Sequence, residues 1–171
     1  MANTYVAIAT VTVGSGGAAQ IEFTSIPQTY TDLVIKLSSR STYNDYSDNV
    51  MLKFNSNSSN YSERTLYNVA GTAGSANQNT NGRLDFWHTS AATATASTFG
   101  SAEIYVPNYT SSNNKSVSMD TTTENNSTSV VQVLEAGLWS NSAAITSVYL
   151  APVSGNFVQY STAILYGIKN S

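Results

Sequence analysis

The sequence predicts an all-β protein: a two-sheet antiparallel β-sandwich, jelly-roll-like, with roughly eight to ten strands in one domain over residues 1–171. Three observations predict it. Charged residues make up only 10% of the chain, against ~25% in an ordinary soluble domain. The polar share falls to Ser, Thr and Asn, whose side chains compete with a helix for backbone hydrogen bonds. Secondly, Thr, Tyr, Val and Ile favour strands, and the chain holds eleven Tyr against five Phe and two Trp. Thirdly, apolar residues recur with a period of two from end to end, and Asn/Ser/Gly clusters break the runs at the ~8–12-residue spacing of sandwiches and barrels. A hydrophobic fraction of 41% in 171 residues supplies a core for one domain.

Each element follows from its own pattern. Tyr5 to Val13 alternates apolar residues with Thr, and GSGGAA then turns the chain. That alternation, without a basic leading segment, reads as a first strand and not as a signal peptide. Ile21 and Phe23 face one way with Glu22 opposite. Pro27 cannot donate to a ladder, so it marks a crossing between strands. Thr24, Ser25, Gln28, Tyr30 and Thr31 are placed to serve the backbone groups freed there. Leu33, Ile35 and Leu37 form the next inward face, with Lys36 and Ser38 outward. Val50, Leu52 and Phe54 repeat the pattern against Met51 and Lys53, and Leu84 and Phe86 do so around Asp85. Ile104 with Val106, then Val117 with Met119, give two more strands. Ser129 to Ser140 competes between helix and strand: Leu134, Glu135 and Ala136 favour helix, while the preceding valines and Gly137 argue for strand. Ala144 to Leu150 and the closing NFVQYSTAILYGIK complete ten runs. Gly71 to Gly82, the most polar stretch, reads as a long loop. No fixed-period repeat points to a propeller or solenoid.

The chemistry is sparse. With net charge −3 and seven scattered cations, the chain lacks the basic stripe of a nucleic-acid binder. It has no Cys, and no apolar run near the ~18 residues that cross a membrane. The one histidine, His88 in RLDFWHTS, alternates onto the face of Leu84 and Phe86, away from Asp85. A Ser–His–Asp triad needs the carboxylate to orient the base, so His88 reads as a sheet-end residue. Asn44, Asp45, Asp48 and Asn49 in YNDYSDN offer oxygens of the kind calcium takes. Their spacing is not that of an EF-hand loop, so the segment reads as an Asx-rich turn. Ten acids spread thinly give no expected carboxylate pair of the glycosidase kind. No catalytic, cofactor-binding or metal-ligating residue is assigned, and the expectation is a protein that is not an enzyme and carries no cofactor.

Aromatic side chains remain. Trp139 lies in a strand that reads as central, so it belongs to the core. Trp87 alternates opposite the apolar face of its strand, and Tyr43, Tyr46, Tyr61, Tyr67 and Tyr109 lie in or beside polar loops. These six are the interface candidates, because exposed aromatics gathered in a patch mark subunit contacts or sugar platforms.

Three stretches resemble a known family: VTVGSGGAAQIEFTSIPQTYTDLVIKLSSR, YVPNYTSSNNKSVSMDTTTENN and GLWSNSAAITSVYLAPVSGNFVQYSTAILYGI, together about half of the chain. They look like small β-sandwich virion structural proteins of tailed bacteriophages, especially marine and cyanobacterial ones. The resemblance implies a non-enzymatic virion component on the particle surface, made in the host cytoplasm. Its implied role is a capsid decoration or cement protein on the head, with the major capsid protein and copies of itself, as a homotrimer, for partners. The alternative is a tail or head fibre domain binding host surface glycan. The resemblance lies in strands and turns and carries over no site residue.

Overall fold

The computed structural model describes residues 4–78, 82–126 and 129–169, with side chains at all of these except Gln78, Phe86 and Trp87. Its strands are β1 (Tyr5–Thr12), β2 (Ile21–Phe23), β3 (Asp32–Ser39), β4 (Ser47–Phe54), β5 (Tyr61–Val69), β6 (Thr72–Gln78), β7 (Leu84–Ser90), β8 (Gly100–Val106), β9 (Lys115–Thr123), β10 (Val131–Trp139), β11 (Val148–Pro152) and β12 (Thr162–Ile168). A long sheet runs β1-β12-β3-β8-β9-β10-β5-β6, and a short one β2-β11-β4-β7. All named pairings are antiparallel. The expected all-β, two-sheet sandwich is what the chain forms.

Successive strands alternate between the sheets except along β8–β9–β10 and the hairpin β5–β6, so that β9, β10, β5 and β6 all lie in the long sheet. Those four strands extend the long sheet beyond β8. The core lies where the sheets face each other. Leu33, Ile35, Leu37, Ile104, Val106 and Leu165 from the long sheet meet Ile21, Phe23, Val50, Leu52, Phe54, Val148 and Leu150 from the short one. Burying each such side chain favours folding by about 1.5–3 kcal/mol. At the junction with the extension, Trp139 stacks on Tyr61 with centroids 6.1 Å apart and lies 5.7 Å from Phe54.

Two strands were not foreseen, β5 and β6. In β5 the inward residues are Tyr61, Glu63 and Thr65 while Leu66 points out, so the alternation exists with its polarity inverted. In β6 the residues are Ala, Gly, Ser, Asn, Gln and Thr, without apolar alternation. A two-residue turn makes the strand. Ala70 and Gly71 both take positive φ (50° and 85°), the conformation whose twist suits a tight hairpin. The Gly71 N–H also donates to Asn68 Oδ1 at 2.9 Å. Within Gly71–Gly82, expected as a long loop, Thr72–Gln78 is therefore strand, and 79–81 lie outside the described residues.

Other boundaries move for local reasons. Ala144–Leu150 was expected as strand, but β11 begins at Val148. The Asn55 side chain takes the intervening backbone: its Oδ1 accepts from the N–H groups of Thr146 and Ser147, and its Nδ2 donates to Ala144 O. The Pro27 corner is as expected in place and different in detail. Gln28 Nε2 donates to the carbonyls of Ile26 and Ile145 at 2.9 Å, and the hydroxyl of fully buried Tyr109 donates to Pro27 O. Tyr30 lies instead over Gly167, where a Cβ would meet its ring.

Arg40, just after β3, organises the segment 91–99. Its Nη1 donates to Thr95 O (2.9 Å), Thr98 O (3.0 Å) and Thr98 Oγ1 (3.2 Å), and its Nη2 to Ala94 O (3.0 Å) and Ala92 O (3.3 Å). Hydrogen bonds to a charged group are worth about 1.5–3 kcal/mol each at most and are not additive. We predict that Arg40→Ala lowers stability by about 2–3 kcal/mol in urea unfolding, and that Arg40→Lys recovers less than half, since an ammonium cannot span five acceptors. A change within about 0.5 kcal/mol would show that the clamp is dispensable.

Candidate binding surface

Strand register sets what the outer face of the long sheet presents. One row across all eight strands reads Ser75, Leu66, Leu134, Asp120, Glu103, Lys36, Ile164 and Thr10. Leu66 and Leu134 are direct cross-strand partners, 62% and 59% exposed. A neighbouring row reads Ala73, Asn68, Gln132, Thr122, Ser101, Ser38, Thr162 and Thr12, without a charge or ring. Grooves flank the leucine pair on both sides. One, of about 500 Å³, is lined by Arg64, Ser75, Asn77, Ser118 and the two leucines. The other, of about 340 Å³, is lined by Asn68, Asp120, Gln132 and the same leucines.

Charge on this face is concentrated. Asp120 and Glu103 are direct cross-strand partners, an arrangement that repels. Lys36 Nζ lies 2.5 Å from Glu103 Oε2, with both side chains about half exposed. The bond to Glu103 raises the Lys36 pKa. Toward the β1 edge the face turns aromatic: Tyr5 meets Tyr166 edge-on at 6.2 Å, and the Tyr105 hydroxyl donates to Asp32 Oδ2 at 2.9 Å.

The expected interface residues do not gather here. Tyr61 and Tyr109 are core residues; hydrogen bonding of their hydroxyls to buried backbone makes a tyrosine an internal residue. Tyr67 is half-buried, its ring against Gly74 on the inner side of the sheet. Tyr43 is exposed and Tyr46 half-buried in the β3–β4 connection. The backbone of Trp87 lies in β7, and its side chain lies outside the described residues. Leu66 was missed because β5 puts Glu63 and Thr65 inward, and Leu134 because the Leu134–Glu135–Ala136 run reads as competing between helix and strand.

His88 departs from its expected face. The β4–β7 register shifts between Asp48 and Val50, and His88 adopts φ +74°, uncommon outside glycine. The bulge turns Thr89 inward, where its Oγ1 donates to Ser39 O at 2.5 Å. His88 Nδ1 instead bonds Ser47 Oγ at 2.8 Å. Asp48 does not orient the ring: its Oδ2 accepts from Ser41 Oγ at 2.6 Å and its Oδ1 from Ser154 N–H at 3.3 Å. Asp45 Oδ1 accepts the N–H of Tyr46, a local turn bond. Burial lowers the His88 pKa to about 4, against an opposing pull from Asp45.

Acids thinly spread in sequence are brought together in space. Glu63 of β5, Asp85 of β7 and Glu135 of β10 are all buried on the inner side of the extension. Glu63 Oε2 accepts the Asp85 N–H at 2.9 Å, and Arg83 grips Asp85 at 2.5 and 3.0 Å. Among the described residues no group of three or more acids or histidines has the geometry to hold a metal ion, and no helix is long and apolar enough to cross a membrane. No family model matches the chain, and no curated protein matches it.

A histidine whose folded pKa lies below its unfolded value binds fewer protons folded than unfolded, so its contribution to stability is lost as pH falls from about 6.5 through about 4. The direct check is an NMR titration of the imidazole. We expect His88 to remain neutral at pH 5.5; a midpoint near 6.5 would mean that the ring is not shielded from water.

Proposed function

We propose that this chain is a non-enzymatic structural protein of a bacteriophage virion, a decoration or cement protein that binds the outside of the head and stabilises the shell. The virion assignment draws on the family resemblance of the three quoted stretches. The geometry that supports binding by a face is the Leu66–Leu134 pair, two large apolar side chains side by side and bordered by Ser75, Asn68, Asp120 and Gln132. Exposed apolar pairs flanked by grooves and rimmed by polar groups suit protein contacts. The other eight strands form, on this reading, a jelly roll, and β5–β6 with β9–β10 are insertions that widen one sheet into a docking face. Many weak contacts per copy, repeated over a symmetric shell and within a homotrimer, would add up to firm attachment.

A host-glycan adhesin is the rival reading, and the neutral row from Asn68 to Thr12 favours it, since amide and hydroxyl groups match sugar hydroxyls. That row has no aromatic residue on which a sugar could stack.

The test is co-sedimentation of the purified chain with heads lacking it. Wild type is expected to bind, and the Leu66→Asp/Leu134→Asp double variant to lose at least tenfold in affinity while its urea midpoint stays near wild type. Unchanged binding by a folded double variant removes the leucine pair from the interface. Failure of wild type to bind heads, together with retention on a host-glycan array, replaces decoration by adhesion.

A further inference from the structure

Glu63 is 1% exposed and Glu135 5%. They approach each other across β5 and β10, where Glu63 pairs with Gly137 and Glu135 with Thr65. Glu63 Oε1 and both Glu135 carboxyl oxygens meet no N–H or O–H donor among the described residues. Two adjacent carboxylates so placed cannot both stay ionised without strong compensation. A single proton resolves both difficulties: a Glu135 hydroxyl donates to the Glu63 carboxylate, and unpartnered oxygens become a hydrogen-bonded pair.

Among the described charges Arg83 acts on Glu63 and offsets it in part. From β7, Arg83 and Asp85 face the pair, and Asp85 holds the Arg83 guanidinium. From β9, Met119 lies opposite Glu135, while Lys115 at the strand's start turns its ammonium to the carbonyls of Ser111 and Asn113. On β5 itself, Arg64 points outward and donates to the Glu63 backbone carbonyl at 2.8 Å. The described part of β6 has no titratable side chain.

We propose that Glu63 and Glu135 share one proton across the β5–β10 seam, and that this proton latches the extension closed at neutral and acidic pH and releases it in alkali. Burial raises the pKa of both groups; Glu63 and Asp85 raise that of Glu135 further, while the Asp85 N–H and the Glu135 carboxyl pull that of Glu63 back down. Folded pKa values above the unfolded value mean that the folded chain holds the extra proton. The latch is therefore fully effective below the ordinary Glu value of 4.5 and weakens as pH rises through the folded values. β5 and β10 carry Leu66 and Leu134 on their other side, so an open latch would also loosen that face. This consequence rests on the docking reading above; the latch itself does not.

Urea unfolding between pH 7.5 and 9, on the whole chain, tests it. In that window folded His88 is neutral and an unfolded histidine, with its ordinary value of 6.5, is about nine-tenths or more neutral, so the slope reports chiefly the pair. The wild-type unfolding constant is expected to rise about tenfold per pH unit for one retained proton. Glu135→Gln keeps shape and a donor but cannot titrate, and its slope should be near zero. Infrared spectra of wild type at pH 7 should contain a protonated carboxyl band that Glu135→Gln lacks. Should that variant not fold, Glu63→Gln and the wild-type band decide. Equal slopes in wild type and a folded Gln variant, or no such band at pH 7, would overturn the proposal. Amide exchange, corrected for its intrinsic pH dependence, should lose protection with pH in β5 and β10 before β3 and β12. Uniform loss would mean that the pair does not act on the seam.

Discussion

A four-stranded sheet cannot cover an eight-stranded one. Most of the molecule's unusual features follow from that mismatch. Over β12, β3 and β8 the inner face is Leu, Ile, Val and Ala, because β2, β11 and β4 lie against it. Over β9, β10 and β5 the short sheet offers chiefly its edge strand, β7. There the inward positions include Lys115, Thr121, Thr123, Glu135, Glu63 and Thr65. Gly137 belongs to the same adjustment. A Cβ there would meet the Leu84 side chain at 2.8 Å, so glycine lets β7 approach β10 closely enough to bring Leu84 and Asp85 over the extension.

The scaffold was readable because its chemistry is of one kind. Where a strand is covered by an apolar partner, inward residues are apolar and outward ones polar. Ile21, Phe23, Leu33, Ile35, Leu37, Val50, Leu52 and Phe54 could thus be assigned from period two alone. The β5–β6 half of the extension was not readable by that rule. In β5 the inward set mixes Tyr, Glu and Thr, and β6 has no apolar set at all. β9, with Val117 and Met119 inward, and β10, with Val131 and Val133, kept enough signal. His88 failed for a different reason: period two assumes an uninterrupted ladder, and one positive-φ residue at a bulge reverses the faces beyond it. The acid pair lay beyond pattern reading altogether, since 72 positions separate Glu63 from Glu135 in the chain and only the β5–β10 pairing brings them together.

The same geometry explains why the exposed leucines sit where they do. At the middle of the β5–β10 seam the inward positions hold Glu63, Thr65 and Glu135, and the outward positions beside them hold apolar residues. Leu66 and Leu134 occupy them as a cross-strand pair. Such a pair contributes contact area to its own hairpin of the kind that stabilises sheets, which suits an extension lacking a full apolar core. It also leaves a surface that favours being covered.

Inner acids and outer leucines therefore belong to one seam with its usual polarity inverted. An ordinary sandwich strand loses little when solvent pH changes, because nothing inside it titrates. Here the groups packed against β7 do titrate, and the strands that bear them also bear the exposed apolar pair. Coupling between the two sides needs no long pathway. Each β5–β10 backbone hydrogen bond lies between an inward and an outward side chain, so any separation that admits water to Glu63 and Glu135 displaces Leu66 and Leu134 with it.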